Sequence, residues 1–244
     1  MDNYFITKPN YVCNPESTFD CADNSYWTEE RITLSIGYQY EVYKEAKKLF
    51  CINKATRLLD LGCGPPAKLY HFFKNCSGYF CLADQPSVSP LAKKIFPNAD
   101  FVPVDLNLKN EKLNDGNFDI ILCADVIEHL SRPDNLLETI RANLSPSGLV
   151  ILSTPDRDIR SGEENLCPNN PQHVREWNKK ELHKFLNSKG FKVEKQNNVP
   201  ISRQRLLSNF AFRYFRLFRK HPIKAGGQRV IATLKNHQPI QFNK

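Results

Sequence analysis

Residues 58–66 read LeuLeuAspLeuGlyCysGlyProPro. An apolar run that closes on Asp-x-Gly-x-Gly is a buried strand entering a tight turn, because glycine lets the backbone reverse and come close to a ligand. Four more apolar runs share that character: TyrPheCysLeuAlaAsp (79–84), AspPheValProValAsp (100–105), PheAspIleIleLeuCysAlaAsp (118–125) and GlyLeuValIleLeuSerThr (148–154). Helical stretches around 67–75, 88–95 and 133–144 separate them. Strand and helix in alternation imply a parallel sheet covered on both faces and joined by right-handed crossovers. Downstream, Lys179–Lys189 reads as a helix stopped by Gly190, and strands are predicted at 191–195 and 229–234.

Upstream, residues 1–24 are rich in Asn, Asp, Pro and Cys without periodicity and read as an irregular arm. Thr28 before Glu29 and Glu30 is a helix start, since its hydroxyl caps free amides and the acids complement the helix dipole. Ile32, Ile36, Tyr40, Tyr43 and Ala46 recur at helical spacing and predict one helix reaching about Phe50. The chain divides into an arm and cap helix, 1–50, and a domain over 51–244.

The 244 residues are 41% hydrophobic and 25% charged, which excludes a disordered or fibrous chain and leaves room for one continuous core. No run of 18 apolar residues exists, so no membrane-spanning helix is expected. The start lacks a basic segment followed by an apolar one, and a cytoplasmic protein is the expectation. Eight cysteines without a Cys-x-x-Cys pair read as reduced, mostly buried side chains. Cys13 and Cys21 lack the paired spacing of a zinc site, and no metal is expected.

Lys and Arg number 34 against 26 Asp and Glu, yet the excess is confined to one end. From Arg203 to Lys244 there are ten Lys and Arg and no acid. Within it, 203–220 forms an amphipathic basic helix on a helical wheel. Leu206, Leu207, Phe210, Tyr214, Leu217 and Phe218 share one arc, and Arg205, Arg213, Arg216, Arg219 and Lys220 another. Phe212 and Phe215 fall off the apolar arc, which offers more aromatic surface than a core stripe needs. The segment is expected to touch a membrane surface or an anionic carrier, so that the protein would be cytoplasmic with membrane association. Nucleic acid is the less favoured partner, although bases interleaved with Phe and Tyr would suit it.

The turn at 62–67 is ambiguous by itself. Gly62, Gly64 and Ala67 also satisfy the Gly-x-Gly-x-x-Gly/Ala dinucleotide pattern, which leaves an NAD-dependent dehydrogenase open. Asp84, 20 residues after Gly64 at a strand end, is placed to accept both hydroxyls of a ribose.

Taken in order, Asp-x-Gly-x-Gly at 60–64, Asp84, Asp105, PheAspIleIleLeuCysAlaAspValIleGluHisLeu (118–130) and SerProSerGlyLeuValIleLeuSerThrPro (145–155) resemble a class I S-adenosylmethionine-dependent methyltransferase. The resemblance covers about residues 50–200. It implies an α/β, Rossmann-like, doubly wound seven-stranded sheet whose last strand is antiparallel. An N-terminal helical cap and a helical insert before the last strand accompany it. It puts Gly62, Cys63 and Gly64 under the methionyl part of the cofactor, Asp60 at its amino group and Asp84 with Gln85 at the ribose. Asp105 and Leu106 would meet the adenine, and Ala124 and Asp125 the methionyl end. One departure is plain: many members have a third glycine where this chain has Pro66.

Such an enzyme need only align an acceptor and remove its proton. His173 stands in AsnAsnProGlnHisValArgGluTrp (169–177), inside a long polar loop from Pro155 to Trp177 of the kind that forms active-site lids. Methyltransferases acting on glycans resemble it in this segment, which makes His173 the first candidate base, with a purely structural pin as the alternative. His129 is the second candidate, and Glu128 and Asp156 are the other acid–base groups near the strand ends. The TyrTrpThrGluGluArg stretch, 26–31, is expected to fold over the cofactor. The expected activity is O-methylation of a sugar or of a glycan or lipid-linked intermediate. RNA methylation, other small-molecule N- or O-methylation and an idle binding module are the alternatives.

Overall fold

The structure is a computed structural model and describes residues 5–15, 27–110, 112–200 and 225–235. The expected insert at 203–220 lies outside the described residues, as do Cys21, Tyr26 and most of the predicted arm.

Seven strands form one sheet: β1 (Arg57–Leu61), β2 (Tyr79–Asp84), β3 (Asp100–Pro103), β4 (Phe118–Ala124), β5 (Leu144–Pro155), β6 (Phe191–Pro200) and β7 (Ala225–Leu234). Their order is β3-β2-β1-β4-β5-β7-β6, and β7 runs antiparallel to both neighbours. Strands β1 to β5 pair in parallel. The order reverses between β1 and β4, which opens a crevice at their carboxyl ends.

Both faces are covered because successive strand residues point to opposite sides. Leu59, Leu61, Cys81, Ala83, Ile121 and Cys123 join one apolar core with Trp177 and Phe185. Leu58, Phe80, Leu82, Ile120 and Leu122 join the other. The helices are α1 (Glu29–Ser35), α2 (Tyr40–Ile52), α3 (Ala67–Phe73), α4 (Ser89–Ile95), α5 (Pro133–Asn143), α6 (Arg157–Ser161) and α7 (Lys179–Ser188).

Several expectations change. The single helix predicted from Thr28 to Phe50 is two. Thr28 does cap α1 by accepting the Arg31 N–H, but Gln39 takes a left-handed conformation, φ 49°, which interrupts the helical run before Tyr40. Only α2 buries a full stripe, Val42, Tyr43, Ala46, Leu49 and Phe50. β3 stops at Pro103, so Asp105 lies beyond the strand rather than closing it. The loop after β5 holds α6, whose N-cap Asp156 accepts the N–H groups of Asp158 and Ile159. Of the seven described cysteines, Cys63, Cys81 and Cys123 are buried, Cys76 is half-buried and Cys13, Cys51 and Cys167 are exposed. Fewer than half of the seven are buried, contrary to expectation, because Cys13, Cys51 and Cys167 stand on the arm, a helix surface and a loop. None of the seven forms a disulfide.

Candidate active site

The turn leaving β1 passes through Gly62 and Gly64, at φ 71° and 52°, in the left-handed region that glycine adopts freely. A β-carbon on Gly62 would lie 2.4 Å from Val126 Cγ2, whereas one on Gly64 would meet Trp27 at 3.7 Å. The turn is laced to the end of β2. Gly62 and Cys63 N–H donate to the Ala83 carbonyl, at 2.8 and 3.5 Å, and Gly64 N–H donates to Asp84 Oδ2 at 2.7 Å. Gln85 N–H donates to Asp84 Oδ1, also at 2.7 Å. Asp84 is thereby fixed, and each carboxylate oxygen retains accepting capacity for a hydroxyl. The Gln85 side chain is exposed.

Asp60 is fully buried beneath the turn and accepts the Tyr43 hydroxyl at 3.1 Å. Burial pushes its carboxyl up to about 7, against the opposing pull of Lys68 and Tyr43. At the end of β4, Asp125 accepts Ser153 Oγ at 2.7 Å on one oxygen and Gln39 Nε2 at 2.7 Å on the other. Gln39 Oε1 in turn accepts Lys68 Nζ at 2.7 Å. Ala124 is buried beside Asp125.

Asp105 is exposed, accepts Asn107 N–H at 2.9 Å and follows Val104, whose N–H bonds the Asp84 carbonyl. Leu106 is buried. One end of the sheet therefore gathers Asp60, Gly62, Cys63, Gly64, Asp84, Ala124 and Asp125, with the 105–106 segment flanking Asp84. Gln39 and Lys68 join them with no signal of their own in the sequence, and Tyr43 with only its place on the apolar face of a helix. Tyr43 and Lys68 lie on helices that pack over the turn, and Gln39 on the left-handed link that enters α2.

A second cluster sits past β4. The 3-10 turn Ile127–His129 receives the HisValArgGluTrp segment as a docked strip. Val174 and Arg175 N–H donate to the Glu128 carbonyl at 2.8 and 3.3 Å. The Arg175 guanidinium donates to the Leu130 and Ser131 carbonyls. Trp177, with no exposed surface, donates its indole N–H to the Phe5 carbonyl at 2.8 Å and stacks on Phe185. The strip is closed by Arg157, which pairs bidentately with Glu181 at 2.7 and 3.1 Å, while Glu181 completes a capping box with Asn178.

His173 and His129 meet in this strip, their rings edge to face at 4.8 Å. His173 Nδ1 faces Glu176 Oε1 at 2.5 Å, and His129 Nδ1 faces the Gln172 carbonyl at 2.9 Å. Both imidazoles thus spend Nδ1 on an acceptor and keep Nε2 available. Glu128 is buried, with Oε2 accepting Thr154 Oγ1 at 2.8 Å and Oε1 unpartnered. Burial, aided by the charge of Asp125, holds its carboxyl well above the usual range. Donor atoms of Glu128, His129 and His173 lie within 4.8 Å of one another, a spacing that a divalent cation also fits. A separate cavity of about 370 Å³, lined by residues including Lys54, Thr56, Asp119 and Ser147, opens where β1 and β4 begin, away from both clusters.

The first cluster suits S-adenosylmethionine by its chemistry. The cofactor carries a ribose diol, an α-ammonium and a sulfonium, and the turn offers a pinned carboxylate at Asp84 and further acids at Asp60 and Asp125.

Known proteins agree with that reading. Ubiquinone biosynthesis O-methyltransferase of Rhodopseudomonas palustris (strain HaA2) is 27% identical over 168 residues, spanning 64% of this chain and 66% of the relative. Burkholderia thailandensis 1,6-didemethyltoxoflavin-N1-methyltransferase, solved with S-adenosylhomocysteine, superposes with a TM-score of 0.56 at 20% identity, covering 80% of this chain and 79% of that one. A putative methyltransferase solved in complex with the Haloferax volcanii Trm112 activator gives 0.63 at 15% identity, covering 89% and 99%. Residues 36–196, more than half of the chain, match the profile of the methyltransferase domain family. This chain belongs to that family, the class I S-adenosylmethionine-dependent methyltransferases.

Proposed function

We propose that the protein O-methylates a hydroxyl on a sugar, or on a glycan or lipid-linked intermediate, with His173 as the general base. The observation that carries this is the buried His173–Glu176 pair. Glu176 accepts Nδ1–H and so directs the basic lone pair of Nε2 away from itself, while its second oxygen, buried without a partner, leaves its charge to the imidazole. Bound S-adenosylmethionine supplies a methyl group already activated on a sulfonium. Asp84, Asp60 and Asp125 would hold the donor in place. His173 Nε2 takes the hydroxyl proton and Glu176 stabilises the resulting imidazolium, while the methyl carbon would pass from sulfur to the acceptor oxygen and the broken sulfur–methyl bond would leave S-adenosylhomocysteine.

Two observations support other versions. The O-methyltransferase relative is named for ubiquinone biosynthesis, which favours a phenolic hydroxyl on a prenylated ring. The spacing of Glu128, His129 and His173 favours a divalent cation that lowers the pKa of the hydroxyl. The test measures S-adenosylhomocysteine release with nucleotide sugars, lipid-linked glycans, a polyprenyl catechol and RNA, each with and without EDTA. The expected result is turnover on a glycan acceptor, insensitive to EDTA. His173→Ala lowers kcat by about 10²–10⁴ while donor affinity holds. Turnover on the catechol alone moves the acceptor, loss with EDTA moves the activation to a cation, and normal turnover by His173→Ala removes His173 from the reaction.

A further inference from the structure

We infer that the Lys68 ammonium binds the α-carboxylate of S-adenosylmethionine, in place of the backbone amides that a glycine-rich turn would offer. The inference rests on the family's cofactor and starts from what the turn lacks. Gly62, Cys63 and Gly64 N–H groups are all committed to Ala83 and Asp84. Pro65 and Pro66 have no N–H, and Ala67 N–H is committed to the Pro65 carbonyl. From 62 to 67 no amide remains for an anion. The acids around the turn suit the ammonium and sulfonium of the cofactor but repel its carboxylate.

Lys68 is the cation in that setting. It is half-buried on α3, and its charge acts on Asp60 and on Asp84. Its ammonium makes one hydrogen bond among the described residues, to Gln39 Oε1, and lies 5.3 Å from the centre of the Tyr43 ring. Two of its three donors are left for an oxygen ligand. Gln39 holds it: the amide accepts from Lys68 on one side and donates to Asp125 on the other, which aims the ammonium while keeping the acid occupied. The methionyl zwitterion would then meet Asp60 at one end and Lys68 at the other.

The test is calorimetric binding of S-adenosylhomocysteine, its decarboxylated analogue, which keeps the amine, and 5′-methylthioadenosine, which lacks both groups. The native chain should prefer S-adenosylhomocysteine to the decarboxylated analogue by about tenfold or more. In Lys68→Met that preference should collapse to about onefold, with 5′-methylthioadenosine bound as tightly as before. Lys68→Arg, which keeps a cation, should retain it. A preference surviving in Lys68→Met overturns the inference, as does an equal loss for all three ligands. Failure of the native chain to bind any of them strikes at the cofactor reading instead.

Discussion

The two halves of the site are made differently. The proposed donor half has a local centre: Asp60, Gly62, Gly64 and Asp84 lie within 25 residues, with Gln39 and Asp125 bonded at its margin. The proposed acceptor half is long-range: Arg175 reaches Leu130, Asn14 and Tyr11 of the arm reach 173–176, and Trp177 reaches Phe5. A turn between two parallel strands presents its groups as soon as the sheet forms. A strip held by side chains depends on partners that can loosen without disturbing the sheet.

That contrast can be broken most severely at Arg157. Arg157→Met leaves Glu181 buried without its ionic partner, a loss of about 3 kcal/mol or more, and the melting temperature should fall by roughly 10 °C. If the halves are separable, S-adenosylhomocysteine affinity measured below the transition stays within about twofold. A joint loss would mean that the strip supports the donor half. Next in size, Asp84→Ala should weaken S-adenosylhomocysteine and 5′-methylthioadenosine alike by more than about tenfold, since it removes both a ribose acceptor and the anchor of Gly64 N–H. Unchanged calorimetric affinity refutes its assignment.

The smallest effect is a pH dependence within the donor half. Asp60 is pushed up to about 7, so below that pH the carboxyl is protonated and cannot accept the cofactor's ammonium in full. Binding must release that proton, and affinity should rise about tenfold between pH 6 and 8. Asp60→Asn should flatten the profile, and an identical slope in that variant would assign the proton elsewhere.

Legibility follows the same division. Strand alternation, the Gly62–Gly64 turn and the 20-residue step to Asp84 are written in neighbouring residues, and the structure places them where the pattern predicted. Gln39 was hidden because the helical periodicity runs through it, although its left-handed backbone interrupts the helix. Lys68 was hidden because a lysine on a helix reads as solvated, and its setting depends on Gln39 and Tyr43, 29 and 25 positions away. His173 can be singled out from its segment and Glu128 from its place after a strand, whereas Glu176 acquires meaning only when the strip docks and its carboxylate meets His173. Pro65 and Pro66 are legible in the sequence as two missing amide donors, whereas the commitment of the Gly62, Cys63, Gly64 and Ala67 N–H groups shows only in the fold.

The two tryptophans of the chain divide between the halves: Trp27 rests over Gly64, and Trp177 lies sealed against Phe185 at the root of the acceptor strip. The protein therefore carries its own pair of optical reporters. Emission from the fully buried Trp177 indole should lie to the blue of that from the half-buried Trp27, so single-tryptophan variants would report donor arrival and strip opening as separate fluorescence signals.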